Sequence, residues 1–225
     1  MEEKLSLHIE SLDPSDHLER DYYRQILKDS SDGIVLCDDP EGADRIMITD
    51  IFHYSQFDQI PEHPLLKQYP NKTLIITESD QPIEIWPGLY TSGLRRHIDK
   101  PTIHGWYYPY FRVRFPNPTL VTYKETQPAE KKYLASFVGY PSHIFRDKLA
   151  KHWATDPDMY ISVSRGYHHF AEDDKAAAEK AQKDYLNTIR ASRFSLCPRG
   201  RGPSSIRLFE SMQLGVAPVI ISDNW

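Results

Sequence analysis

The sequence predicts an α/β protein built on parallel sheets. Apolar runs of strand length alternate with helical stretches along most of its 225 residues, and this alternation is typical of parallel sheets. The clearest strand of the first half, residues 73–80, ends in acidic side chains. In the second half, residues 194–197 lead through a glycine-bearing turn into a helix, which is the connection expected in a doubly wound sheet.

The composition is that of a folded globular protein. Charged residues make up 26% and hydrophobic residues 40% of the chain, and these fractions argue against disorder. The formal net charge of −5 argues against a surface that coats nucleic acid. Cys37 and Cys197 are far apart in sequence, which favours a reduced, cytoplasmic setting without a disulfide framework. Neither a signal peptide nor an apolar run of membrane-spanning length is present, so no integral membrane segment is expected.

The first half alternates strands and helices up to residue 80. In order, we expect a weak strand over 4–9, a helix over 18–27, strands over 34–37 and 43–50, a loop or short helix over 57–68, and a strand over 73–80. Ligands of parallel sheets gather beyond the carboxyl ends of the strands. The polar residues at or near those ends are therefore expected to face a cleft: Asp50, His53, Glu78 and Asp80.

Residues 86–118 are rich in proline, aromatic residues and arginine, and show no clean period. We interpret them as irregular structure, either touching a ligand or serving as an aromatic-packed connection. This segment holds Arg95, Arg96, His97, His104 and the tyrosine-rich residues 107–110. The polar segment 124–132 that follows is the expected linker between two domains.

After the linker the alternation resumes. We expect a strand over 133–138, a turn over 139–142, a helix over 145–153, a strand over 160–164, and a helix over 176–191 with Ala181, Tyr185 and Ile189 stacked on one face. Arg146, just inside its helix, either reaches a diphosphate or is a solvated helix arginine. The pair His168 and His169 lacks the spacing of a zinc site, and no metal site is expected.

The most informative stretch, residues 192–223, predicts strand, turn, helix, turn and strand. The turn amides and the positive end of the helix dipole suit an anion, and guanidinium groups match phosphate oxygens. The residues expected to hold a diphosphate are Arg199, Gly200, Arg201, Gly202, Ser204, Ser205 and Arg207, with Arg146 as a further candidate. Glu210, about one turn into the helix, is expected to accept hydrogen bonds from ribose hydroxyls. The motif predicts a site for a nucleoside diphosphate.

The helix after this turn is expected to begin at a capping Ser204 or Ser205 and to end at Gly215. Its predicted apolar face holds three residues at helical spacing: Ile206, Phe209 and Met212. Residues 218–221 have the composition of a buried strand.

Three segments of this stretch resemble the signature of the exostosin family of glycosyltransferases (GT47): FSLCPRGRG at 194–202, SIRLFE at 205–210 and GVAPVIISD at 215–223. The resemblance implies a GT-B-like fold with two Rossmann-like domains. We assign residues 1–127 to an acceptor-side domain and residues 128–225 to the nucleotide-sugar-binding domain. The family pattern continues past the last strand, so this second domain is expected to be incomplete, through truncation or because the protein is short, and part of the donor pocket to be missing.

The resemblance further implies transfer of a sugar from a nucleoside diphosphate donor, with UDP expected, to an oligosaccharide or polysaccharide acceptor. The arginines and turn amides would stabilise the leaving diphosphate. Inversion at the anomeric carbon requires a base, and the sequence does not choose among Asp50, His53, Glu78 and Asp80. No cofactor is expected beyond the nucleotide sugar as co-substrate, and Asp38-Asp39 is interpreted as a turn before Pro40.

Two alternatives remain open at this point. One is a catalytically inactive module of the same fold that binds a glycan or nucleotide, and the other is an unrelated α/β enzyme that binds a phosphorylated ligand through the same turn. The expected location is cytoplasmic, at most peripheral to a membrane, or the Golgi lumen if the chain is part of a eukaryotic protein, since eukaryotic members of the family resemble Golgi membrane proteins.

Overall fold

The computed structural model describes residues 4–30, 33–81, 84–93, 102–106, 113, 117–121, 129–165 and 175–223. The chain divides into two compact units, Met1–Arg114 and Phe115–Trp225. Each unit contains its own parallel sheet with helices packed on it, so the predicted α/β class with two parallel-sheet halves is confirmed. The predicted domain boundary between residues 127 and 128 lies outside the described residues and stays a prediction.

The first unit contains a six-stranded parallel sheet in the order β2-β1-β3-β4-β5-β6 within the part of the chain described above. Its elements are β1 Leu5–Ser11, α1 Leu18–Ser30, β2 Ile34–Leu36, β3 Arg45–Ile51, a 3-10 helix Tyr54–Glu62, α2 Pro64–Gln68, β4 Thr73–Thr77, β5 Gly88–Tyr90 and β6 Ile103–Gly105. These bounds confirm the predicted strands up to residue 80, the predicted first helix, and the short helical structure expected over 57–68.

The core of the first unit lies on both faces of β3, which is buried at every position except its first. Ile46 and Ile48 are fully buried against the side that carries the 3-10 helix, where Phe57 packs. Met47 packs on the opposite side with Ile9 and other residues that face α1. Successive side chains of a strand point to opposite faces, and a central strand covered on both faces is therefore apolar at nearly every position.

The interpretation of residues 86–118 as irregular was wrong at two places, because β5 and β6 lie within it. Both strands have only three residues, and Gly88 opens the first of them. A Cβ atom at Gly88 would lie 2.1 Å from the carbonyl oxygen of Ile75 on β4. Glycine is therefore required there by close approach of two backbones, although in sequence it resembles a loop signal. Arg95, Arg96, His97 and residues 107–110 lie outside the described residues.

The second unit contains a four-stranded parallel sheet in the order β10-β9-β7-β8, counted over its described residues. Its elements are α3 Pro118–Val121, β7 Tyr133–Gly139, α4 Ile144–Trp153, β8 Met159–Val163, α5 Lys175–Arg190, β9 Ser192–Pro198, α6 Ile206–Gln213 and β10 Ala217–Ile221. The predicted strands and helices from residue 133 onward are confirmed. His168 and His169 lie outside the described residues.

The sheet of the second unit is covered on both faces. On one face Phe137 and Leu196 pack against Leu149 of α4. On the other face α5 contributes Tyr185 and Ile189 to a cluster that also includes residues from the end of α6. Strand β9, which leads into the glycine-bearing turn, therefore lies in a sheet with helices on both faces, as in a doubly wound sheet.

The end of α6 follows the prediction. Gly215 has φ +67°, its N–H donates to the carbonyl of Met212, and the N–H of Val216 donates to the carbonyl of Ser211. This pair of hydrogen bonds is the Schellman motif, which glycine favours because it adopts positive φ without strain.

Three other expectations for this end of the chain were wrong. Helix α6 buries Arg207, Leu208 and Ser211, whereas Met212 is 51% exposed. Strand β10 is not buried, because it lies at the sheet edge and has a neighbouring strand on only one side. Ser205 occupies the N-cap position of α6, but its side chain makes no capping hydrogen bond.

Among the residues that the structure describes, no helix combines the length and the apolar character that crossing a membrane requires.

The close approach at Gly88 yields a stability prediction. We expect Gly88→Ala to lower the free energy of unfolding by about 3 kcal/mol, because the new methyl group overlaps a backbone oxygen of β4 that cannot move aside. The measurement is urea-induced unfolding followed by circular dichroism. Gly105→Ala in β6 is the matched control, because no atom lies within 4 Å of its Cβ position. Equal stability of the two variants would contradict the β4–β5 pairing.

Candidate functional site

The second sheet has a topological switch point between β7 and β9. From β7 the chain continues to β8 on one side and later to β9 on the other. Ligands of open α/β sheets bind beyond the carboxyl ends of the strands at such a point. The strands end there at Gly139 and Pro198, and contacts described below bring Arg146, Arg199 and Arg207 to the same edge. The structure therefore gathers three of the four predicted diphosphate-binding arginines where a ligand is expected.

Arg207 is the most unusual of these residues, because its side chain belongs to the buried interior and is only 5% exposed. Its Nη2 donates to the carbonyl oxygen of Val138 at the end of β7. Its guanidinium carbon lies 4.4 Å from the ring centre of Phe137 and 5.4 Å from that of Tyr185, and rings in this position attract a cation. Nε and Nη1 are buried without a hydrogen-bond partner among the described residues. Unmet donors on a buried cation are costly, and a bound anion would satisfy them.

Glu210 lies one turn further along α6 and is partly buried. Burial raises the pKa of its carboxyl group, while the Tyr185 hydroxyl and the positive charge of Arg207 act in the opposite direction. The Tyr185 hydroxyl donates a hydrogen bond to Oε2 of Glu210. Tyr185 therefore contacts both Glu210 and Arg207. Tyr185 was predicted to lie on the stacked face of its helix and was not among the predicted site residues.

Arg146 holds together the two loops at the switch point. Its guanidinium group donates to the carbonyl oxygens of Tyr140 (3.0 Å), Pro198 (3.3 Å) and Arg199 (3.1 Å). These contacts join the loop after β7 to the end of β9. Arg146 is thus not a solvated helix arginine, and a direct contact with a diphosphate stays a prediction.

The turn after β9 packs closely against Arg146. A Cβ atom at Gly200 would lie 3.0 Å from Nη2 of Arg146 and 3.2 Å from Oγ of Ser142. Gly139, at the end of β7, plays the same part toward Arg207, since a Cβ atom there would lie 3.1 Å from its Nη2. Two of the three glycines near this edge thus make room for guanidinium groups.

The other residues predicted in the turn differ in exposure. Nη1 of Arg199 donates to Oδ1 of Asp223 at 2.8 Å, and this hydrogen bond lowers the pKa of the Asp223 carboxyl group. Arg201 is exposed, whereas Gly202 and Ser204 are buried. The turn therefore presents one solvent-facing arginine beside an arginine that is already paired.

His143 was not predicted by the sequence analysis. It is the N-cap residue of α4, and its Nδ1 accepts the N–H of Phe145. Burial lowers the pKa of its imidazole, as do the nearby positive charges of Arg199 and Arg146. The sequence carries no clear signal for this role, because histidine is not among the residues that helix N-caps prefer.

Asp50, a predicted candidate base, lies at the switch point of the first sheet, between β1 and β3. It is fully buried and has φ 61°, a conformation that aspartate tolerates better than most residues. Its carboxylate accepts the N–H groups of Glu19 (2.9 Å) and Arg20 (3.2 Å) in the first turn of α1. The helix start at this switch point is therefore capped by a carboxylate of the protein itself.

The three other candidate bases also belong to the first unit. His53 is exposed and caps the 3-10 helix, with its Nδ1 2.7 Å from the hydroxyl of Ser55. Glu78 is 5% exposed and Asp80 is exposed, and both follow β4. None of the four belongs to the arginine cluster of the second unit, so the assignment of a base stays a prediction.

Within the described residues, no group of three or more histidine, cysteine, aspartate or glutamate side chains lies close enough to hold a metal ion. The prediction that the donor is bound without a metal is not tested by this observation.

Comparison with known proteins adds to this geometry. The family model of the Exostosin GT47 domain matches residues 96–225, which is more than half of the chain. The chain belongs to the exostosin GT47 family. The matched residues include the whole second unit with its arginine cluster, and the resemblance stated from the sequence is confirmed.

Relatives within the exostosin family are similar over part of the chain. Exostosin-1a of Danio rerio is 40% identical over 110 residues, which is 44% of this chain and 15% of the relative. Exostosin-1 of Drosophila melanogaster is 30% identical over 131 residues, or 52% of this chain and 17% of the relative. A probable glycosyltransferase of Arabidopsis thaliana is 30% identical over 99 residues, or 44% and 18%. The chain thus spans less than a fifth of the length of each of these three relatives.

The contacts of Arg146 yield a prediction about stability. We expect Arg146→Ala to lower the free energy of unfolding by about 2–3 kcal/mol, because three carbonyl groups lose a charged donor. The measurement is urea-induced unfolding of the whole chain. The control is Arg201→Ala, which removes the same charge from an exposed position in the neighbouring turn. It should change the free energy of unfolding by no more than about 0.5 kcal/mol. A similar small effect of both substitutions would show that Arg146 does not join the two loops.

Proposed function

We propose that this member of the exostosin family binds a UDP-linked sugar in its second unit and transfers the sugar, with inversion, to an oligosaccharide or polysaccharide acceptor. The observation that carries the proposal is the buried guanidinium group of Arg207 at the switch point, with two donors that lack a partner among the described residues. A diphosphate supplies both the negative charge and the acceptor oxygens that this group requires.

The surroundings of Arg207 favour a phosphorylated ligand. Arg207 is the second residue of α6, so its guanidinium group and the helix start belong to the same short segment. The side chain of Ser205 makes no capping hydrogen bond and does not compete with a ligand for the first amides of α6. Helix starts of this kind bind phosphate groups. The exposed Arg201 in the adjoining turn is long enough to approach the same ligand from solvent.

Glu210 supports a nucleoside as the group attached to the phosphates. Its position one turn after Arg207 places a carboxylate beside the anion site, where it can accept hydrogen bonds from the vicinal hydroxyls of a ribose. The Tyr185 hydroxyl favours the ionised form of this carboxylate. An ionised carboxylate would repel a phosphate but accepts hydroxyl donors, which assigns the two groups of the ligand to different residues.

The proposed transfer requires a base for the acceptor and cationic groups for the departing diphosphate. In an inverting step the acceptor oxygen forms a bond to the anomeric carbon, the bond from that carbon to the diphosphate oxygen breaks, and UDP departs with the bonding electron pair. A base removes the acceptor proton, while cationic and N–H groups stabilise the charge on the diphosphate. Among Asp50, His53, Glu78 and Asp80 we favour His53 and Asp80, because their exposure allows contact with an acceptor hydroxyl.

The first test is binding of UDP, measured by isothermal titration calorimetry. We expect Arg207→Met to weaken UDP binding by at least about tenfold, because charge-assisted hydrogen bonds to the diphosphate are lost. Arg193→Ala is the control, since it removes an exposed arginine at the opposite end of β9 and should leave the affinity unchanged. Thermal melting establishes that both variants are folded. Absence of UDP binding to the unchanged chain, or equal binding by Arg207→Met, would refute the proposal.

The second test separates an enzyme from a binding module. Incubation with a panel of UDP sugars and oligosaccharide acceptors should release UDP and give a product whose anomeric configuration, read by NMR, is opposite to that of the donor. Loss of product with Arg207→Met but not with Arg193→Ala would assign the activity to the described site. Binding of UDP without turnover would instead identify an inactive module, and a product of retained configuration would contradict the inverting step.

A further inference from the structure

The contact between α5 and α6 points to a function for a residue that the donor-site motif does not include. We propose that Tyr185 is a positioning residue, which orients the carboxylate of Glu210 and keeps it available to the ribose hydroxyls of the donor. This inference rests on the proposed function, because it concerns the nucleoside part of the same ligand.

The geometry of Tyr185 supports this role. Its ring is 2% exposed and is fixed on the buried face of α5 beside Leu186 and Ile189. From this fixed position the hydroxyl donates to Oε2 of Glu210. A hydrogen bond from a rigid donor limits rotation of the carboxylate about its terminal torsion, which is otherwise broad. The geometry of the remaining acceptor sites of Glu210 is therefore determined by α5 as well as by α6.

The same ring also contacts the anion site. The guanidinium carbon of Arg207 lies 5.4 Å from the Tyr185 ring centre, and the ring of Phe137 lies on the strand side at 4.4 Å. Tyr185 thus touches one residue assigned to the diphosphate and one assigned to the ribose. Replacement by phenylalanine separates these two contacts, because it preserves the ring beside Arg207 and removes only the hydroxyl beside Glu210.

The charged and titratable groups around Glu210 determine how its ionisation depends on pH. Tyr185 faces it from α5, Arg207 from α6 and the thiol of Cys197 from β9. Burial raises the pKa of Glu210, and the Tyr185 hydroxyl is the first of the contacts that oppose this rise. Loss of the hydroxyl must therefore raise the pKa further. Since the ionised carboxylate accepts the ribose hydroxyls more strongly than the protonated form does, ribose recognition in Tyr185→Phe should weaken at a higher pH than in the unchanged chain.

The experiment compares UDP with its 2′,3′-dideoxy analogue by calorimetry as a function of pH. At neutral pH we expect Tyr185→Phe to weaken binding of UDP by about tenfold, because the Glu210 carboxylate is no longer held in the orientation that accepts the ribose hydroxyls. Binding of the dideoxy analogue should change little, because it lacks the hydroxyls that Glu210 accepts. The affinity ratio is the affinity for UDP divided by that for the dideoxy analogue, and the titration of the phosphates cancels in it. This ratio should fall as the pH is lowered, and the midpoint of its fall should lie at higher pH in Tyr185→Phe than in the unchanged chain.

Glu210→Gln provides a second variant that leaves Tyr185 unchanged. In Glu210→Gln the affinity ratio should be smaller than in the unchanged chain and independent of pH. The double variant Glu210→Gln with Tyr185→Phe should have the same affinity ratio as Glu210→Gln alone. Equal losses for UDP and its analogue in Tyr185→Phe, or an unmoved pH midpoint, would overturn the positioning role while leaving the proposed function intact. Failure of the unchanged chain to bind UDP would instead overturn both proposals, so the two failures are distinguishable.

Discussion

The arrangement of the second unit depends on one constraint, which is the burial of a guanidinium group at the carboxyl end of a central strand. Arg207 can be buried there because the rings of Phe137 and Tyr185 flank its guanidinium group. The carbonyl oxygen of Val138 accepts a hydrogen bond from Nη2 of Arg207. Gly139 leaves room for the same atom because it has no side chain. The net cost of such a cation depends on whether its remaining donors find acceptors. A bound anion would supply those acceptors and so offset the cost. An anion site would therefore account for the burial of an arginine on α6, where an apolar face was predicted.

The two switch points of the chain illustrate two outcomes for the same architectural position. In the first unit the N–H groups of Glu19 and Arg20 at the start of α1 donate to the carboxylate of Asp50, so these amide groups are satisfied by the protein itself. In the second unit, Arg146 is satisfied by three carbonyl groups, but Arg207 retains donors without a partner among the described residues. Electrostatics therefore favour the second unit for the negatively charged ligand proposed above, and this unit lies within the family match over residues 96–225.

The sequence predicted much of this structure, because strand composition, glycine turns and helix periodicity are local signals. The glycine that ends α6 and the strands around the turn are examples. Strand β5 was missed because Gly88 acts through a close approach to another strand, which sequence does not display. Strand β6 has only three residues, which is too short for a pattern of strand composition to show. The buried face of α6 was missed because hydrophobic periodicity ranks Met212 above Arg207, whereas the partners of Arg207 lie on β7 and α5. The part played by Tyr185 could not be predicted for the same reason, since it arises from contacts between elements distant in sequence.

The central claim is that Nε and Nη1 of Arg207, which have no partner among the described residues, bind the diphosphate of a nucleotide. It is tested most directly by a crystal structure of the chain with UDP. The account predicts diphosphate oxygens within hydrogen-bonding distance of Nε or Nη1 of Arg207 and the ribose hydroxyls on the carboxylate of Glu210. Density for UDP at another edge of the sheet, with the Arg207 guanidinium group still lacking acceptors, would contradict it.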